Sequence, residues 1–353
     1  MRSGNQPDNI TQQMKTTELQ PSQEITLLQH LEKQAVEGIP ASIDDCIAIA
    51  DGIGDSTDWN NGLFGALCDA ADRVREAIHG DTADTCSIVN GRSGRCTEDC
   101  KWCAQSDRHN TGCREYDFIS EQEYFDTLMA NHHAGVRRFS IVCSGRKVAM
   151  NDIRRYCELY KRSRELSPIS LCASMGLLNK EELQALYDAG VRRYHCNIET
   201  AASYFPALCT THTREDKLRT IRYAHEVGME VCSGGIIGMG ENLRQRLEMA
   251  AESRDAGAVS IPVNLLNPIP GTPLQHTPLI SERDVVLTVA LMRLVAPRQS
   301  IRFAGGRARM SRQATARMLR GGANGAIVGD MLTTIGNAMD EDRQLFASAG
   351  LKI

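Results

Sequence analysis

The 353-residue sequence lacks any long hydrophobic run. No stretch approaches the roughly 18 apolar residues that a membrane-spanning helix needs. The first twenty residues are polar and contain no apolar core of the kind that a secretory signal has. We therefore expect a protein of the cytoplasm, where thiols stay reduced.

The chain also lacks an excess of charge of either sign and is poor in aromatic residues. It has 40 Lys and Arg against 44 Asp and Glu, and 5% of its residues are aromatic. This balance excludes the basic surface typical of proteins that bind nucleic acid or anionic membranes. The 13 cysteines are too few for a disulfide scaffold, so in a reducing compartment they indicate metal binding or catalysis.

Short apolar runs alternate with helical patterns through most of the chain. The runs are Cys86–Val89, Phe139–Cys143, Ile169–Ala173, Tyr194–Ile198, Glu230–Ile237, Val259–Leu266, Ile301–Ala304 and Ala326–Val328. Most follow a glycine suited to ending a helix, namely Gly135, Gly190, Gly228, Gly257 and Gly325. The pattern predicts an α/β fold in which residues 81–353 form a (βα)8 TIM-type barrel, with a doubly wound open sheet as the alternative.

Residues 1–80 are predicted to be an N-terminal extension without a catalytic motif. A disordered lead over residues 1–22 precedes three helical patterns, the last of which is expected to stop at Gly80. In a barrel, the active site lies at the carboxyl ends of the strands. We therefore expect the catalytic and binding residues in the motifs that follow the strand ends.

The sharpest motif is a C-x3-C-x2-C triplet, formed by Cys96, Cys100 and Cys103, in the loop after the first predicted strand. Three thiolates on one loop can hold three irons of a [4Fe–4S] cluster and leave the fourth iron open. A zinc site is an alternative, but no C-x2-C pair or His-x3-His lies nearby. A redox pair of Cys100 and Cys103 is another, but it would leave Cys96 without a task.

The triplet, with Trp102 before its last cysteine, resembles the radical S-adenosylmethionine superfamily. Three further segments resemble the biotin synthase family in particular: residues 231–241 (VCSGGIIGMGE), residues 262–273 with PVN and PGTP, and residues 301–307 (IRFAGGR). The likeness extends from about residue 84 to residue 352. It implies a [4Fe–4S] cluster on the triplet and bound S-adenosylmethionine, whose cleavage yields a 5′-deoxyadenosyl radical.

The same resemblance implies a substrate and partners. The radical would take hydrogens from dethiobiotin, and an auxiliary iron–sulfur cluster deeper in the barrel would donate the sulfur. An electron-donor protein of the flavodoxin or ferredoxin type is expected, as is a homodimer. Neither nucleic acid nor a membrane is expected as a partner.

Several residues match positions that contact the cofactor or the substrate in the family. The expected cofactor contacts are Trp102, Asn197, Glu199, Lys217, Gly234 and Ile236, and the expected substrate contacts are Asn197 and Asn264. Glu199 stands where the family usually has Asp. Lys217 stands where it usually has Arg, so the charge is kept but the bidentate fork is lost.

The auxiliary cluster is where this sequence departs from the family, which usually uses three cysteines and an arginine around a [2Fe–2S] cluster. Cys172, Cys232 and Arg302 match, but the remaining cysteine position is Ser140, and a serine hydroxyl is a poor ligand for iron. Because Cys143 and Cys196 also lie at strand ends, we expect Cys143, Cys172, Cys196 and Cys232 to hold a [4Fe–4S]-type cluster. Because side chains alternate along a strand, Cys143 would face the opposite side from Ser140 unless the strand ends near Val142.

Two other functions remain open at this stage. A related radical S-adenosylmethionine maturase or rearrangement enzyme would need only the first cluster, which leaves Cys172 and Cys232 without a task. A non-catalytic iron–sulfur redox protein is the other, but it would give Asn264, which matches a substrate-binding position, no task.

Overall fold

The computed structural model describes residues 21–329 and 339–352, and its centre is a closed parallel barrel. The strands are β1 (Asp84–Arg92), β2 (Arg138–Cys143), β3 (Ser170–Ser174), β4 (Arg193–His195), β5 (Glu230–Cys232), β6 (Gly235–Ile237), β7 (Ser260–Leu265), β8 (Ser300–Phe303) and β9 (Gly325–Ile327). Each strand pairs in parallel with its neighbours, and β9 returns to β1. The predicted eight-position barrel is confirmed.

The fifth position of the barrel is shared by β5 and β6. β5 pairs with β4, and both β5 and β6 pair with β7, which closes the ring. The glycines at this break admit a very close neighbour. A Cβ on Gly235 would lie 2.0 Å from the backbone oxygen of Glu199, so no larger residue fits between these two segments.

Helices surround the barrel and connect its strands. They are α1 (Pro21–Val36), α2 (Ile43–Ile53), α3 (Gly62–His79), α4 (Glu121–His133), α5 (Met150–Leu166), α6 (Lys180–Asp188), α7 (Arg214–Glu226), α8 (Leu243–Asp255), α9 (Glu282–Val295), α10 (Arg312–Arg320) and α11 (Met339–Ser348). None of the helices in the described part of the chain is long and apolar enough to cross a membrane.

Four of the five glycines predicted to end a helix do so with positive φ. Gly135, Gly190, Gly228 and Gly257 have φ between 75° and 109°. The prediction for Gly325 is wrong, because α10 already ends at Arg320 and Gly325 is the first residue of β9. There a Cβ would lie 2.3 Å from the backbone oxygen of Asp84, so that glycine serves close strand pairing.

The N-terminal helices pack onto the barrel's outer helices and share their core. Leu31 of α1 and Leu67 and Val74 of α3 are buried in the same hydrophobic cluster as the helices α9 and α10. The predicted stop at Gly80 is confirmed, since this residue caps α3 with a φ of 65°. Most of the predicted disordered lead lies outside the described residues.

Candidate functional site

The cysteine triplet lies in the loop that leaves the carboxyl end of β1. The amide of Cys96 donates to Gln105 O at 3.0 Å, and the amide of Cys103 donates to Cys100 O at 2.9 Å, so the loop folds back on itself. Cys96 is buried, whereas Cys100 and Cys103 are half-buried. The loop therefore presents its thiols at the mouth of the barrel, where the sequence predicts the first cluster.

Two acidic residues inside the triplet fasten this loop to the segment before α7. Asp99 Oδ1 accepts from the amides of Thr210 and Thr211 at 2.9 and 3.2 Å. Glu98 Oε2 accepts from the hydroxyl of Thr211 at 2.8 Å and is 2.5 Å from Nδ1 of His212. The side-chain and backbone bonds of the 210–211 segment hold the pKa of Asp99 below its usual range, although burial acts in the opposite direction.

Cys209 and His212 lie beside the triplet in space, although neither is among the predicted site residues. The Sγ atom of Cys209 lies 3.7 Å from Sγ of Cys100 and 3.3 Å from Nδ1 of His212. Among the described residues, these three form the one group of His, Cys, Asp or Glu whose ligand atoms all lie within 4.8 Å of one another. The C-x2-H spacing of residues 209–212 was the signal that could have found them.

Replacing Asp99 with Ala is expected to speed the loss of iron from the reconstituted first cluster about 10- to 100-fold, the range typical of residues that orient metal ligands. The loop would lose its bonds to Thr210 and Thr211. The measurement is the rate of iron transfer to a chelator under anaerobic conditions. Asp107, an exposed carboxylate just beyond the triplet, gives the matched control Asp107→Ala, and equal rates in the two variants would contradict this role of Asp99.

An upper cavity of about 240 Å³ opens beside the triplet loop and brings together most of the predicted contact residues. Trp102, Asn197, Glu199, Ile236 and Asn264 all line it. Trp102 and Ile236 also pack against a small apolar cluster of Leu208, Met239 and Leu266. The cavity thus has one apolar wall and one wall of amide and carboxylate groups.

The polar wall is built around Glu199. This residue has a φ of 73°, a left-handed conformation that is uncommon for a residue with a side chain. Its carboxylate pairs with the buried Lys217 at 3.6 Å and accepts a bond of 3.3 Å from the amide of Asn197. Lys217 does not line the cavity and contacts it through Glu199. Burial acts to lower the pKa of Lys217, but Glu199 and the neighbouring thiols together hold it above its ordinary value.

Two asparagines connect neighbouring strands at this level by bonding to the backbone of three glycines. Asn197 Oδ1 accepts from the amide of Gly234 at 3.1 Å. Asn264 donates to Gly235 O at 3.1 Å and accepts from the amide of Gly305 at 2.9 Å. An amide has two donors and two lone pairs, so Asn264 keeps one of each for a ligand.

A second cavity of about 160 Å³, here called the floor cavity, lies deeper in the barrel. Asn197 and Asn264 line both cavities, so the two spaces are adjacent. The floor cavity is lined by Cys86, Ile88, Ser140, Val142, Cys172, Ser174, Arg193, His195, Asn197, Cys232, Pro262, Asn264, Arg302, Ala304 and Ile327. It therefore contains three thiols, a histidine and two arginines.

The electrostatics of the floor cavity differ from thiol to thiol. Burial raises the pKa of Cys172 to about 12. For Cys232, burial acts in the same direction, but a hydrogen bond from His195 and the charges of Arg302 and Arg193 lower the pKa to about 6. Arg302 lies with its Nη1 atom 3.8 Å from Sγ of Cys232.

The prediction that Cys143 and Cys196 join Cys172 and Cys232 around one cluster is corrected by the structure. β2 does not end at Val142 but continues to Cys143, whose thiol lies on the outer face against Tyr156 of α5. Cys196 also faces outward, and its Sγ atom is 3.9 Å from the backbone oxygen of Lys217 in α7. Since side chains alternate along a strand, both cysteines are one residue out of phase with the cavity.

A largely buried ion cluster lies at the lower end of the barrel, and two of its arginines, Arg193 and Arg302, line the floor cavity. Asp84 Oδ2 pairs with Arg302 at 2.5 Å and lies 3.7 Å from Arg193, and its Oδ1 atom is 3.3 Å from Nε of Arg138. Ser300 donates to the same carboxylate at 3.0 Å. Burial raises the pKa of Asp84, but the three arginines hold it well below its usual range.

Comparisons with known proteins place this geometry in context. Residues 92–252 match the family model of the Radical SAM superfamily, and residues 262–352 match that of the Biotin and Thiamin Synthesis associated domain. Biotin synthase of Porphyromonas gingivalis is 45% identical over 327 residues, 93% of this chain and 96% of that protein. Biotin synthase of Parabacteroides distasonis is 46% identical over 288 residues, 82% and 88% of the two chains.

Solved structures agree on the fold. The structure of methylornithine synthase has a TM-score of 0.77 at 17% identity and covers 91% of this chain and 96% of that chain. The FeFe-hydrogenase maturase HydG from Carboxydothermus hydrogenoformans has a TM-score of 0.74 at 15% identity, with coverage of 94% and 84%. At such identities these structures support the barrel and not a reaction.

Proposed function

Because this chain belongs to the biotin synthase family of radical S-adenosylmethionine enzymes, we propose that it inserts sulfur into dethiobiotin, with the sulfur supplied by an auxiliary iron–sulfur cluster in the floor cavity. Membership makes it an enzyme, a radical S-adenosylmethionine sulfurtransferase, and implies a [4Fe–4S] cluster, S-adenosylmethionine and a small-molecule substrate. The choice of substrate and the auxiliary cluster are the parts that we propose.

The observation that carries the proposal is the adjacency of the two cavities. Asn197 and Asn264 line both, so a small molecule in the upper cavity would sit directly above the thiols of the floor. Sulfur insertion needs one molecule to meet a radical source on one side and a sulfur source on the other. A related maturase or rearrangement enzyme would leave the thiols of Cys172 and Cys232 without use.

The chain's own groups divide the remaining work in this proposal. Cys96, Cys100 and Cys103 would hold the first cluster, which together with S-adenosylmethionine would supply the radical chemistry. The thiols of the floor cavity would hold the auxiliary cluster, which would supply the sulfur. Glu199 would accept hydrogen bonds from the ribose hydroxyls of the cofactor, with Lys217 holding its carboxylate in place. Asn264 would bind the cyclic urea of dethiobiotin, and the apolar wall of Trp102 and Ile236 would exclude water.

The floor cavity offers a fitting donor set for an iron–sulfur cluster. Cys172 and Cys232 face it with Arg302, whose buried Nε atom has no hydrogen-bond partner. The expectation of a four-iron auxiliary cluster rested on Cys143 and Cys196, which face away. Four thiolates of that set therefore do not surround the cavity, and the donor set that we propose there includes Cys172, Cys232 and Arg302.

The test is anaerobic incubation of the reduced, reconstituted protein with S-adenosylmethionine and dethiobiotin. Formation of both 5′-deoxyadenosine and biotin is the expected result. Cofactor cleavage without biotin would favour the maturase or rearrangement alternative, and no cleavage would favour a non-catalytic redox protein. We also propose a flavodoxin- or ferredoxin-type electron donor and a homodimer, which reduction assays and sedimentation would test.

Replacing Glu199 with Ala is expected to raise the KM for S-adenosylmethionine about 10- to 100-fold, since hydrogen bonds to a charged group contribute about 1.5–3 kcal/mol. The variant Glu199→Asp keeps the carboxylate and is the matched control, for which we expect a KM near that of the parent. Steady-state formation of 5′-deoxyadenosine measures both. An unchanged KM in Glu199→Ala would place the cofactor away from this carboxylate.

A further inference from the structure

A third thiol faces the floor cavity besides those of Cys172 and Cys232. Cys86 lies on β1 and lines the cavity with them. In the register of the barrel, Ile88 of β1 is the partner of Ser140 on β2. Cys86 is two residues before Ile88 and thus on the same inward face, one step of roughly 7 Å deeper than the level of Ser140.

The surroundings of Cys86 show that the three thiols enclose one space. Cys86, Cys172 and Cys232 all line the floor cavity, as does Arg302. The Nη1 atom of Arg302 lies 3.8 Å from Sγ of Cys232, and its Nη2 atom donates to Asp84.

Nothing else in the described structure accounts for this thiol. Cys86 is 5% exposed, and the contact of its Sγ atom with Ser87 O at 3.7 Å is long. The cysteines that serve only as small apolar groups, such as Cys46 and Cys68, lie between helices in the hydrophobic core. Cys86 is outside that core and lines the floor cavity together with Arg302, whose buried Nε atom has no hydrogen-bond partner.

Resting on the proposed function, we propose that Cys86 is the third thiolate ligand of the auxiliary iron–sulfur cluster and that it replaces, on β1, the ligand missing at Ser140 on β2. Each of the three thiols would bind iron through sulfur and release its proton. Sulfur is the better donor for iron–sulfur clusters than a serine hydroxyl. The exchange keeps three thiolates and Arg302 around the cavity, but the ligand on β1 lies roughly 7 Å deeper in the barrel than the position of Ser140.

The experiment isolates the auxiliary cluster from the first one. In a background with Cys96, Cys100 and Cys103 replaced by Ala, reconstituted protein is assayed for iron, sulfide and visible absorption, without any activity readout. Cys86→Ser is expected to lose at least about 80% of the iron that the background binds, as is Cys172→Ser. Cys143→Ala, a buried cysteine at the end of the neighbouring strand, is the matched control and is expected to retain it.

A second variant guards against an effect on folding alone. Cys86→Ser combined with Ser140→Cys is expected to regain the iron and sulfide, because the thiolate count returns to three. Full iron and an unchanged spectrum in Cys86→Ser would overturn the inference, and so would a double variant that stays empty although its circular dichroism matches the parent. If the background itself binds no iron, the proposed auxiliary cluster fails, whereas iron in Cys86→Ser defeats only the ligand assignment.

Discussion

Replacing Asp84 with Asn is expected to lower the free energy of unfolding by about 3–5 kcal/mol, the usual cost of removing one partner from a buried ion pair. The carboxylate is the shared counter-charge of Arg302, Arg193 and Arg138 beneath the floor cavity. Asn keeps the volume and a hydrogen bond to Ser300. It leaves Arg302 without its anion and removes one of the two carboxylates near Arg193 and Arg138. Urea unfolding of the two proteins, compared by midpoint and slope, measures the difference.

The control for this variant is a second carboxylate on the same arginines. Glu230 pairs with Arg193 at 2.9 Å and is 4.0 Å from Arg138, but its side chain is 50% exposed. Since exposed ion pairs contribute about 0–1 kcal/mol, Glu230→Gln is expected to be nearly neutral. Equal unfolding free energies for Asp84→Asn and Glu230→Gln would contradict the central position that we assign to Asp84.

Acidification from pH 7.5 to pH 5 is expected to cost about 2 kcal/mol of stability through His79 alone. Burial lowers the pKa of this histidine to about 4, and the adjacent charge of Arg293 acts in the same direction, as does that of Arg75. Arg293 is fully buried and donates from Nη1 to Nε2 of His79 at 3.0 Å. A proton on that nitrogen would replace the hydrogen bond by repulsion between two cations.

The sign follows from the two states of the histidine. The unfolded chain takes up a proton near pH 6.5, whereas the folded chain resists it until about pH 4, so stability falls as the pH drops through this window. His79→Gln retains an acceptor for Arg293 and has no such titration. The measurement is the unfolding free energy of both proteins at several pH values, and parallel profiles for the two would contradict this role of His79.

The barrel could be predicted because its strands are marked twice, by apolar runs and by the glycines that precede them. The upper cavity could be located only through residues such as Glu199 and Asn264, whose types recur at matching positions in a known family. The contact between Lys217 and Glu199 needed coordinates, since the two residues lie on different elements. The same holds for Cys209, which approaches Cys100 across more than a hundred residues.

The error over Cys143 has a specific physical cause. The prediction grouped cysteines by their position at strand ends, whereas the side-chain direction alternates within a strand. Ser140 and Val142 line the cavity, and therefore Cys143 cannot, as long as β2 continues to it. Applied to β1, the same alternation places Cys86 and Ile88 on the inner face, which the strand-end criterion overlooked.

The ion cluster around Asp84 has a consequence for the order of events in this enzyme. Asp84 and its three arginines lie at the lower end of the barrel, and the floor cavity adjoins the upper cavity at Asn197 and Asn264. A ligand in the upper cavity would therefore cover this side of the floor cavity. In the proposed reaction, iron and sulfide that enter on this side would have to arrive before the organic ligands. A spent sulfur donor would be restored only after those ligands leave, so repeated turnover would depend on their release from the upper cavity.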